Sequence, residues 1–106
     1  MSTARAQAKC NAPANAILAF LRTGAGLDMS VAAVPGAPGT LNFRTRASAF
    51  SWGENVEVTV VEQAGGSAIL FRGSRAWALN LTSNPRTPVE KILATLEQKF
   101  GPLTVA

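Results

Sequence analysis

Between residues 55 and 62 the chain alternates polar and apolar side chains. Val56, Val58 and Val60 point one way, while Asn55, Glu57 and Thr59 point the other. A period of two over this length predicts a strand with one buried face. Residues 40–47 alternate similarly, with Leu41, Phe43 and Thr45 opposed to Asn42, Arg44 and Arg46. Residues 27–34 make a weaker strand, and "SAILFR", residues 67–72, a further one. Residues 75–81 either extend that strand or form a fifth. The turn signals are Pro35-Gly36-Ala37-Pro38-Gly39, Gln63-Ala64-Gly65-Gly66 and Asn84-Pro85. Proline and glycine disfavour continuing a regular element, and glycine supplies the positive φ of tight hairpins.

Two segments change to helical spacing. Ala14, Ile17, Leu18 and Leu21 recur every three or four residues, with Phe20 widening the stripe and Gly24-Ala25-Gly26 closing it. With Asn11 and Pro13 as start signals, this predicts a helix over roughly residues 12–23. Near the other end, Thr87-Pro88-Val89-Glu90 reads as a capping box with proline at the first helical position. Val89, Ile92, Leu93, Leu96 and Phe100 continue the stripe, and Gly101-Pro102 ends it. Residues 1–9 are small and polar, so residues 1–10 are expected to be a flexible tail and 11–106 a single domain. The expected fold is α+β: an antiparallel sheet of about four strands with the N- and C-terminal helices packed on one face.

Composition narrows what such a domain could do. Hydrophobic residues make up 47% of 106, but 19 positions are alanine, so bulky core side chains are fewer than that share suggests. There is no histidine or tyrosine and only one cysteine, Cys10. Histidine-based triads, His metal sites and internal disulfides are thereby excluded. The six carboxylates form no recognisable acid/base pair or metal set, and Gly65-Gly66 lacks the lysine of a phosphate-binding loop. No enzyme and no cofactor are expected. Asn11, Pro13 and Asn15 break the apolar run near the N-terminus, and no stretch approaches the roughly 18 apolar residues of a membrane span, which makes the cytoplasm the expected compartment.

Net charge is +4. That is compatible with polyanions, provided the charges share one face. Arg44 and Arg46 alternate onto the same side of their strand, and Arg72 and Arg75 lie near the end of a later one. These four arginines are the candidate polyanion contacts, although a bare-sheet platform for single strands also needs interleaved aromatics, which the Asn42-Arg44-Arg46 side lacks. In a hairpin of the two central strands Arg44 would approach Glu57, an ordinary cross-strand charge pair.

The aromatic candidates are Phe50, Trp52 and Trp77. Phe50 and Trp52 sit in "FSWGENVEV", and this segment resembles a group of small uncharacterised bacterial α+β domains in which a Trp-Gly-Glu step precedes a valine-rich strand. Those domains carry an Asp-x-Gly-x-Asn-like segment before the last helix, where this chain has "LNLTSNPRTP". The resemblance implies a fold more than an activity. The function expected from the whole chain is that of a non-catalytic binding or protein-interaction module, with a protein partner, a second copy or a small apolar ligand. Nucleic-acid or other polyanion binding through the arginines is the runner-up.

Trp52 is expected to seal one end of the core, with Gly53 letting the chain turn around it. On that reading Trp52→Ala costs about 3–5 kcal/mol in urea unfolding. A loss below about 1 kcal/mol marks an exposed ring.

Overall fold

The computed structural model describes residues 3–45, 54–75 and 86–105. In chain order these form β1 (Thr3–Cys10), α1 (Ala14–Arg22), β2 (Met29–Val34), β3 (Ala37–Thr45), β4 (Glu54–Gln63), β5 (Gly66–Arg75), α2 (Arg86–Phe100) and β6 (Thr104–Val105). The strands make one antiparallel sheet in the order β2-β3-β4-β5-β1-β6. The fold is α+β with an antiparallel sheet, as expected, but the sheet has six strands rather than about four.

The largest departure is at the start of the chain. Residues 3–10, expected within a flexible tail, form β1 and pair with β5 along their whole length, from Thr3 opposite Ser74 to Cys10 opposite Ser67. The alternation is present in the sequence: Arg5, Gln7 and Lys9 are exposed, while Ala8 and Cys10 are buried. Alanine is a poor strand former, so the inward row looks featureless by propensity. What makes it a strand is the free edge of β5, which needs partners for its backbone amides and carbonyls.

Inward rows continue across the sheet in register. Phe43 pairs with Val56; Leu41 pairs with Val58, which pairs in turn with Phe71; and Val60 pairs with Ile69, which pairs in turn with Ala8. Ile17, Leu18 and Leu21 of α1 and Val89, Ile92 and Leu96 of α2 join these residues in one core cluster. The two helices also touch, with the rings of Phe20 and Phe100 edge to face at 5.6 Å between centroids. The helical stripes read from spacing are therefore the buried faces.

Helix starts differ from expectation in informative ways. The N-cap of α1 is Pro13, which has no side chain to cap with. Instead the Ala14 amide donates to Oε2 of Glu62, at the end of β4, over 2.6 Å. A carboxylate at a helix N-terminus suits both the unpaired amides and the helix dipole. Helix α2 begins at Arg86, so Thr87 lies inside the helix and does not occupy the capping position assigned to it. Pro88 then falls within the first turn, where its missing amide leaves no bond unmade.

Other boundaries shift slightly. The turn before β3 is only Pro35-Gly36, and β3 already runs through Ala37, Pro38 and Gly39. At Gly39 the strand runs close to β4: a Cβ there would lie 3.1 Å from the Val60 carbonyl oxygen. Strand β5 continues to Arg75. Residues 76–81, and with them the choice between an extension and a fifth strand, lie outside the described residues, as do Arg46, Phe50, Trp52 and Trp77.

At one corner the sheet and α1 interlock. Gly66, first residue of β5, runs so close to the end of β1 that a Cβ would overlap the Cys10 carbonyl oxygen and lie 2.9 Å from the Asn11 Cα. Next to it the Ser67 hydroxyl donates to the Ala12 carbonyl at 2.8 Å. The β4–β5 hairpin thus grips the β1–α1 connection through Glu62, Gly66 and Ser67. Gly66→Ala should lower stability in urea by about 2–4 kcal/mol, because backbone and not a flexible side chain stands in the way. Glu62→Ala, which removes only the cap, should cost about 1 kcal/mol. A neutral Gly66→Ala would contradict the close packing of this corner.

Candidate functional site

The side of the sheet opposite the helices carries the polar rows. Across β3, β4, β5 and β1 one row reads Asn42, Glu57, Arg72 and Arg5. The row beside it reads Thr40, Thr59, Leu70 and Gln7, and the row on the other side begins Arg44, Asn55, Ser74. Glu57, Arg72, Arg5, Gln7 and Arg44 are exposed, and Leu70 retains 40% of its surface to solvent. Described residues of this face are thus exposed over several strands.

Two shallow depressions meet on it. One, of about 450 Å³, is lined by Arg5, Gln7, Glu57, Thr59, Leu70 and Arg72. The other, of about 440 Å³, is lined by Asn42, Asn55, Glu57, Arg72 and Ser74. They share Glu57 and Arg72, so the two form one groove across the middle of the face. Thr40 and Thr59 hydroxyls hydrogen-bond across β3 and β4 at 3.0 Å and fix the groove's wall.

Electrostatically the groove is uneven. Arg5 and Arg72 occupy directly paired positions on β1 and β5. Like charges at such positions destabilise a sheet. Glu57 is the cross-strand partner of Arg72 on its other side, so the row holds one carboxylate and two guanidinium groups. Lys9 and Arg44 also lie on this side, giving four cations among its described residues against Glu57 on the strands and Asp28 beside Arg44. That leaves a surplus of two positive charges on this face of a chain whose total is +4.

The arginines named from the sequence are only partly assembled. Arg44 and Arg72 do share the open face; Arg44 pairs with Asn55, and Glu57 with Asn42 and Arg72, so Arg44 and Glu57 are diagonal neighbours across β3 and β4 rather than directly opposed. Arg44 lines a separate hollow of about 350 Å³ with Leu27, Asp28, Met29, Ser30 and Thr45. Arg75 ends β5 at the position paired with Glu54. Arg5 was missed because its segment was assigned to a tail. Its signal was the Arg5-Gln7-Lys9 alternation against alanines, which gains meaning only once β1 is placed beside β5.

Chemically the groove offers donors more than reactive groups. Cys10 is buried in the core, away from this face. Among the described residues no three His, Cys, Asp or Glu side chains are grouped so as to hold a metal ion, and no helix is long and apolar enough to cross a membrane. No family model, curated protein or solved structure matches the chain.

The like-charge pair has a measurable consequence. Arg5→Glu converts it into an opposite-charge pair and should raise stability by about 0.5 kcal/mol, by the usual size of cross-strand charge effects. The gain should shrink in concentrated salt. No gain at low salt would show that the two guanidinium groups do not feel each other.

Proposed function

We propose that the protein is a small cytoplasmic, non-catalytic binding module whose working surface is the open face of its sheet, and that it holds acidic groups of its partner there. The observation that carries this reading is the direct pairing of Arg5 with Arg72 in an exposed groove. Arginine forks match carboxylate and phosphate oxygens, and two such forks side by side are relieved of their mutual repulsion when an anion sits between them. Arg44 and Lys9 widen the basic field, while Asn42, Asn55 and Gln7 supply neutral hydrogen-bonding groups.

Long polyanions fit the face less well than discrete acidic groups. Glu57 stands in the middle of the groove, in the path of a phosphate backbone. No aromatic side chain is among the described residues of this face, so stacking of bases has no platform there.

A second reading concerns self-association. Strand β2 is a terminal strand of the sheet, and Met29–Val34 contains no charged residue. Such an edge can pair with a second copy. The irregular register between Ala33 and Val34 shortens the regular part of that edge.

The test of the main reading is fluorescence anisotropy with a labelled oligo-glutamate peptide and a labelled oligo-dT, each over a salt series. The peptide should bind, and the double variant Arg5→Gln, Arg72→Gln should weaken it at least about tenfold, or 1.4 kcal/mol. A salt slope on oligo-dT steeper than about −3, by the value of −0.7 per phosphate, would instead favour the polyanion reading. Sedimentation tests the second reading: any dimer should dissociate in Ala32→Lys, which places a charge on the β2 edge.

A further inference from the structure

Resting on the binding reading above, the geometry points to a more specific ligand for the groove: a small phosphate monoester, its phosphate held between Arg5 and Arg72 and its body lying over Leu70.

The two guanidinium forks come first. Arg5 and Arg72 are cross-strand partners, and Glu57 on the far side of Arg72 offsets one of their two charges. A phosphate monoester carries about −1.5 to −2 at neutral pH, with three acceptor oxygens. Its three oxygens can take a fork from each arginine at once, whereas the two oxygens of a carboxylate are used by one fork and a sulfonate, with a single charge, is a weaker acceptor.

The floor and walls then describe the rest of the ligand. Leu70 follows on β5 with its side chain on the same face, between Gln7 on β1 and Thr59 on β4. Its 40% exposure makes it one of the exposed large hydrophobic residues. An apolar patch bordered by an amide and a hydroxyl suits a ring or short chain with a few polar substituents. The depression of about 450 Å³ is within the size range of small-molecule sites, roughly 300–1,000 Å³.

Glu57 sets a limit on the anion. It neighbours Arg72 on the side away from Arg5. A second phosphate extending along the row would meet this carboxylate, and like charges repel at this range. The groove should therefore prefer a monoester over a diphosphate, and Glu57→Gln should relax that preference.

The experiment is a two-dimensional amide NMR titration with phenyl phosphate, benzenesulfonate, benzoate and pyrophosphate, on the wild-type chain and on the separate variants Arg5→Gln, Arg72→Gln and Glu57→Gln. The expected result is saturable phenyl phosphate binding with a Kd of about 1 mM or tighter. Shifts should centre on residues 5–7 and 70–72. Affinity should fall at least tenfold in each arginine variant, with thermal unfolding confirming that each is folded. Benzenesulfonate and benzoate should bind at least fivefold more weakly, and pyrophosphate should gain on phenyl phosphate in Glu57→Gln. Equal binding of all three aryl anions would overturn the phosphate assignment and leave the acidic-group reading standing. Absence of saturable binding while the oligo-glutamate peptide still binds would do the same. If neither the peptide nor phenyl phosphate binds, both readings fall together. Phenyl phosphate shifts that persist unchanged in both arginine variants would place the ligand elsewhere and overturn the inference.

Discussion

Eight paired positions join the first strand to the fifth, and most of what is distinctive in this molecule depends on that ladder. Its two strands are more than fifty residues apart in sequence, so the pairing closes a long loop before any contact rewards it. The corner at Cys10, Gly66 and Ser67 is where that closure is held. Gly66 lets the backbones approach, Ser67 ties the Ala12 carbonyl, and Glu62 caps the helix that leaves β1. One hairpin thereby fixes both the register of the added strand and the starting point of α1.

The consequences differ on the two sides of the sheet. On the helix side β1 contributes Ala8 and Cys10, small side chains that extend the floor of the core beneath α2 without filling it. Bulk comes from elsewhere: Phe43, Leu41, Ile69 and the valines of β4 from the sheet, with Ile17, Leu21, Ile92 and Leu96 from the helices. On the open side the same strand contributes Arg5, Gln7 and Lys9. The alternation that gives the core its small residues gives the open face its charges, because successive side chains point to opposite sides. Placing Arg5 against Arg72 works against stability, and sites that bind anions are where such a conflict has a use.

Much of the fold could be read from the chain because its signals are local. The valines of β4 alternate with polar residues, the two glycines mark the β4–β5 hairpin, and both helices show their stripes at three- and four-residue spacing. Each of these needs only neighbours in sequence. What escaped has a different cause. Strand β1 has alanine at its inward positions, so periodicity is present but carries almost no hydrophobic contrast. The cap on α1 comes from Glu62, 48 residues away from the amide it serves, where no capping pattern could find it. That Asn42 and Arg72 stand directly opposite Glu57, with Arg44 one diagonal away, was not legible because the register of β3 on β4 is a property of the folded pair. The candidate site divides the same way: Arg44 and Arg72 were visible as outward-facing cations, but their separation into different hollows, and the arrival of Arg5 beside Arg72, follow from strand order alone.

The packed corner and the basic groove both depend on residues 3–10 being a strand of the sheet. Native-state amide hydrogen exchange followed by NMR tests this most directly, because opening free energies are read residue by residue. Alternate amides of β1, those directed at β5, should exchange as slowly as the paired amides of β5 itself. Rapid exchange throughout residues 3–10, with β4 and β5 still protected, would make this segment a tail, remove Arg5 from the groove and contradict the account.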